Sequence, residues 1–82
     1  MVFQVLNRLK WKGGLEKCDI IIIHRGAPGD RKIIHGSQLT GFDRHYFYYS
    51  EGGRETTIPL HRIQEVRLEE KSLWKRKPKG RD

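Results

Sequence analysis

The stretch Cys18-Asp19-Ile20-Ile21-Ile22-Ile23-His24-Arg25-Gly26-Ala27-Pro28-Gly29-Asp30 decides how this chain folds. Its run of consecutive isoleucines is too β-branched and too short for a helix, so residues 18–24 read as a central strand buried on both faces. Gly26, Pro28 and Gly29 then turn the chain, because glycine permits positive φ and proline fixes its own. Residues 32–35 resume an extended pattern. The two segments form an expected hairpin whose rim carries His24 and Arg25.

On the N-terminal side of this hairpin, Val2, Val5, Leu6 and Leu9 follow the i, i+3, i+4, i+7 spacing of an amphipathic helix. Lys10 and Lys12 complement its C-terminal dipole and Gly13-Gly14 stop it, while Trp11 reads as a core plug or lid. On the C-terminal side, residues 36–43 read as an irregular connection with one helical turn after Ser37. His45-Tyr46-Phe47-Tyr48-Tyr49 then forms a strand closed by Glu51-Gly52-Gly53. Period two places His45, Phe47 and Tyr49 on one face and Tyr46 and Tyr48 on the other.

Residues 56–60 form a further strand in which Pro59 forces a change of direction just before His61. Residues 66–68 form another, turning at Glu69-Glu70-Lys71 into Leu73-Trp74. The expected architecture is α+β: an N-terminal helix packed on a curled antiparallel sheet or small barrel of about five or six short strands. The sequence divides into one domain over residues 1–74 and a basic, flexible tail over 75–82.

Composition narrows the class of function. With 82 residues there is room for one modest core. A single cysteine, Cys18, excludes a disulfide framework and a cysteine-based zinc site. The four histidines show no ligand spacing, so neither metal nor cofactor is expected. The longest aliphatic run is far too short to span a bilayer and no signal peptide is visible, which predicts a cytoplasmic protein with no membrane contact. The net charge of +7 points toward a polyanion, yet residues 71–82 carry six basic residues and one acid, and so most of the excess. Such a tail attracts any nucleic acid without specificity.

Chemistry is concentrated in two His-Arg dipeptides, His24-Arg25 before the glycine turn and His61-Arg62 after Pro59. Each joins an imidazole, which can donate a hydrogen bond or move a proton, to a forked, permanently charged guanidinium, a combination suited to phosphate. Neighbouring side chains on a straight strand point to opposite faces, so each pair reaches one ligand only where the backbone bends. Taken singly, either pair also fits a strand-rim role, with Asp30 or Glu55 as the ion partner.

Leu6, Arg8, Leu9 and Trp11, then 24–30, Phe47, Ile58-Pro59 and His61-Arg62-Ile63 resemble the RNA cyclic-group end recognition domain, a small archaeal family. The resemblance covers about residues 2–74. It implies a stand-alone form of a domain elsewhere fused to RNA-processing enzymes, recognising RNA ends that carry a 2′,3′-cyclic phosphate. It further implies a phosphate- and RNA-binding site of His24, Arg25, Gly26, Gly29, His61 and Arg62. His35, His45 and the tail fall outside it. A cyclic phosphodiester has one negative charge and two unesterified oxygens, which two guanidinium forks and glycine-loop amides can satisfy.

Two other readings stay open. The histidines could act as acid and base in a metal-independent cyclic phosphodiesterase, although no group dedicated to orienting them is visible. Alternatively the chain is a non-specific RNA-binding or protein adaptor module working through its tail and exposed aromatics. The residues favour a binding module over an enzyme, and the resemblance implies RNA as partner with an RNA-processing enzyme as a second.

Overall fold

In the computed structural model, which describes residues 2–76, the isoleucine run forms β1 (Cys18–Ile23). It lies inside a four-stranded antiparallel sheet ordered β2-β1-β6-β7, with β2 (Arg31–His35), β6 (Ile63–Leu68) and β7 (Lys71–Lys75). A second antiparallel sheet has three strands ordered β3-β4-β5: β3 (Leu39–Phe42), β4 (Tyr46–Glu51) and β5 (Arg54–Pro59). The one α-helix among the described residues, α1 (Val2–Lys12), buries Val2, Leu6 and Leu9.

The N-terminal helix is present as expected, but the one curled sheet or small barrel of about five or six strands is corrected to two open sheets with seven strands in total among the described residues. The reason lies in two 3₁₀ turns, Gly36–Gln38 and Leu60–Arg62. Each passes the chain from one sheet to the other, the first between β2 and β3 and the second between β5 and β6. The strand missing from the sequence reading is β3. Its ladder with β4 shifts register between Leu39 and Gly41, and this irregularity in Leu39-Thr40-Gly41-Phe42 hides the alternation that marks a strand.

The core gathers between α1 and the sheets: Leu6, Ile20, Ile22, Ile34, Phe47, Ile63 and Val66 are all but fully buried. Burying such side chains contributes on the order of 2 kcal/mol each, before the entropy of ordering them. The run of isoleucines is buried through Ile22, but Ile23 is 41% exposed because it closes the strand at the sheet's end. Trp11 is not a core plug: it is 81% exposed. Two residues beyond Leu9 corresponds to about 200° around a helix, which turns the indole away from the buried stripe.

Phe47 and Tyr49 enter the core and Tyr46 faces outward, as period two requires. His45 does not join them. The strand begins only at Tyr46, because the Asp43 carboxylate accepts the amides of both His45 and Tyr46 and holds 43–45 as a turn. At the C-terminal end Lys75 closes β7, so the sheet reaches one residue beyond the expected domain boundary. Arg76 follows it, and the rest of the expected tail, residues 77–82, lies outside the described residues.

Candidate functional site

Antiparallel pairing brings the two His-Arg dipeptides to one end of the larger sheet. Ile22 pairs with Ile63, so the chain leaving β1 at His24 and the chain entering β6 from Arg62 emerge side by side. The contact is direct: Arg62 donates through Nη2 to the Ile23 carbonyl at 2.9 Å.

The first dipeptide opens a loop closed by its own backbone. The His24 amide donates to the Asp30 carbonyl at 2.9 Å, that of Ala27 to His24 at 3.2 Å, and that of Asp30 to Ala27 at 2.8 Å. Gly26 and Gly29 have φ of 92° and 68°, in the left-handed region where a side chain is strained. No atom lies near where their Cβ would stand, so conformation and not crowding demands glycine. The Arg25 and Gly26 amides have no partner among the described residues. Arg25, Gly26 and Gly29 are exposed, and His24 is half-buried. The loop therefore offers a bare backbone, two free donors and a guanidinium at one rim.

Neither proposed ion partner is used. The described ion pairs are Lys32–Glu51, His35–Asp19 and Arg67–Glu65. Glu55 instead accepts from Thr40 Oγ1 at 2.6 Å, and no described cation reaches Asp30. Both arginines of the dipeptides are left without a carboxylate among the described residues. An unneutralised guanidinium is what an external anion requires.

The 3₁₀ turn Leu60–Arg62 splits the second dipeptide. Arg62 turns to Ile23, whereas His61 lines a neighbouring cleft of about 230 Å³ with Phe3, Arg44, His45, Trp74 and Arg76. Two backbone links build this cleft. The Leu60 amide donates to the His45 carbonyl at 2.8 Å, and the Arg76 amide to Gln64 at 2.9 Å. Gln64 is the residue that the β1–β6 register skips between Ile21 and Ile22, so a bulge supplies the acceptor. Arg76 is then fixed by Nε to the Ile63 carbonyl at 3.0 Å and lies 5.1 Å from the Trp74 ring centre. Arg44 stands 5.6 Å over the Phe3 ring.

Among the described residues no carboxylate lines the cleft. Asp43, which shapes the turn bearing Arg44 and His45, points its carboxylate at the amides of His45 and Tyr46 and at the Tyr48 hydroxyl. Those three hydrogen bonds hold its acid form below the ordinary carboxylate range and raise the Tyr48 phenol.

His35 lies elsewhere, opposite Asp19 near the other end of β1, with its Nδ1 2.8 Å from that carboxylate. Arg44, His45, Trp74 and Arg76 had no place in the site read from sequence. Period two, carried two residues past Trp74, puts Arg76 on the same face as the indole. Asp43 two residues before His45 has the spacing of an Asx turn. Both signals were present but weak.

Comparison with known proteins agrees with the resemblance. A UPF0248 protein of Pyrobaculum islandicum is 34% identical over 79 residues, covering 96% of this chain and 92% of the relative. The UPF0248 protein MJ1316 of Methanocaldococcus jannaschii is 32% identical over 69 residues, covering 82% and 80%. One from Methanococcus vannielii is 35% identical over 69 residues, covering 82% and 78%. No solved structure gives a significant match. Among the described residues no helix is long and apolar enough to cross a membrane. A family model spans residues 1–76, both dipeptides and Arg76 included, and the chain belongs to the family it describes, the MJ1316 RNA cyclic group end recognition domain.

Proposed function

We propose that this chain is a cytoplasmic RNA-binding module that holds a 2′,3′-cyclic phosphate end between the 24–30 loop and Arg62, as an accessory to RNA processing. The observation that carries this reading is the Arg62–Ile23 hydrogen bond, which seats the guanidinium of one dipeptide at the root of the loop bearing the other. The family description supports the ligand class.

The ligand has one negative charge and two free oxygens. Arg25, the second Nη of Arg62 and the Arg25 and Gly26 amides supply donors for both. Charge alone would favour the wrong end, since a linear 3′-phosphate carries nearly two charges at neutral pH. Preference for the cyclic end must therefore come from placement of donors around a compact ring. The test is titration of the protein with one oligonucleotide bearing a cyclic phosphate, a linear 3′-phosphate or a 3′-hydroxyl. The cyclic end is expected to bind best, and Arg25→Ala or Arg62→Ala to abolish that preference. An equal response to all three ends would refute the reading. Recovered RNA should keep its cyclic group; its opening by wild type but not by His61→Ala would replace binding with catalysis.

A further inference from the structure

We infer that the cleft beside the loop is a second nucleotide subsite, taking the nucleotide immediately 5′ of the cyclic end. This deepens the reading above and rests on it for the position of the terminus. A cyclic phosphate blocks the 3′ side of the terminal ribose, so every further nucleotide leaves in the 5′ direction. The cleft lies where that continuation meets protein, because consecutive residues face the two places: Arg62 the loop and His61 the cleft.

The lining suits a nucleotide in two ways. Arg44, Arg76, His45 and His61 face it with no carboxylate among them, so it favours a phosphodiester. Its aromatic rings both carry guanidiniums, Arg76 over Trp74 at 5.1 Å and Arg44 over Phe3 at 5.6 Å. Arg76 cannot swing out as a simple phosphate clamp, since Nε and Nη2 are held by the Ile63 and Leu60 carbonyls at 3.0 and 3.5 Å. Its fixed plane backed by the indole is a stacking surface for an unpaired base. Arg44 is exposed and makes no hydrogen bond or ion pair among the described residues, which leaves its charge for the phosphodiester. The occupant is single-stranded RNA, because a base already stacked and paired in a duplex presents no free face.

The test compares two probes on the whole chain: a mononucleoside 2′,3′-cyclic phosphate and a short single-stranded oligonucleotide with the same end. Wild type should bind the oligonucleotide more tightly. Arg44→Ala and Arg76→Lys, the second keeping charge but losing the plane, should each weaken oligonucleotide binding at least about fivefold. Neither should change affinity for the mononucleoside. Arg44→Ala removes only an exposed side chain, so folding does not confuse the result, and circular dichroism checks Arg76→Lys. Equal wild-type affinity for the two probes, unchanged oligonucleotide affinity in both variants, or equal loss on both probes would each overturn the subsite. The two readings fail separately. Arg25→Ala without effect on end preference removes the function above, whereas an oligonucleotide still weakened by Arg44→Ala keeps the cleft as an RNA site.

Discussion

Arg62 Nη2 lies 2.9 Å from the carbonyl oxygen of Ile23, 39 positions earlier in the chain, and this bond holds the two His-Arg segments together. Lysine at 62 keeps the charge but replaces the planar fork with one nitrogen, so it cannot present a paired, fixed set of donors to an anion while reaching Ile23. Arg62→Lys should retain overall RNA affinity while losing discrimination between cyclic and linear ends in titration. Arg62→Ala should lose both, and lower the unfolding free energy by about 1 kcal/mol in urea denaturation. Undiminished discrimination in Arg62→Lys would show that the fork plays no part.

Gly36 tests the first crossing between sheets. It is buried, and a Cβ there would be driven into the Leu15 carbonyl oxygen and crowd that of Cys18. Backbone atoms cannot step aside as a side chain can. Gly36→Ala should destabilise the protein by about 3 kcal/mol, at the upper end of overpacking costs. Gly41→Ala is the control, since its nearest neighbour is a Tyr48 side-chain carbon at 3.8 Å, an ordinary contact. Equal midpoints for the two variants in thermal unfolding would contradict the close approach at Gly36.

The Asp43 turn sets a pH window. Its carboxyl has a lowered pKa, first from the His45 amide, then the Tyr46 amide and the Tyr48 hydroxyl. A folded value below the unfolded one gives stability that is fully present above the unfolded pKa, about 3.9, and lost as pH falls through the folded value. Tyr48 is shifted upward by the same bond, so its share is present below an unfolded pKa of about 10 and lost as pH rises through the folded one. The stability difference between wild type and Asp43→Ala should therefore be flat at intermediate pH and shrink at both extremes. A difference that grows on acidification would reverse the assignment.

The parts legible in the sequence are those fixed by local pattern. Four isoleucines specify β1, the i, i+3, i+4 spacing specifies α1, and Pro59 marks a bend just before His61, although not that the bend sends His61 and Arg62 to different places. The two-sheet layout was hidden because it depends on short 3₁₀ corners and on the irregular β3, neither of which has a strong period. Trp11 misled because size and apolarity say nothing about which way a residue faces. Likewise the cleft joins α1, the 43–45 turn, the Leu60–Arg62 turn and β7, segments whose meeting is set by tertiary pairing alone. Arg76 shows this most clearly: it looks like one charge of a basic run until the bulge at Gln64 supplies its acceptor.

Residues 77–82 add three cations and one anion, and their effect should be separable from recognition. Charges without a built site act by counterion release, which strengthens every RNA complex and adds to its salt dependence. Truncation after Arg76 should weaken binding of cyclic and linear ends by the same factor. It should also reduce the slope of log affinity against log salt by up to about 2, the contribution of three phosphate contacts on a single strand. The preference for the cyclic end should survive unchanged, because Arg25, Arg62 and the loop amides remain. Loss of that preference on truncation would move the discriminating contacts out of the 24–30 loop and into the tail.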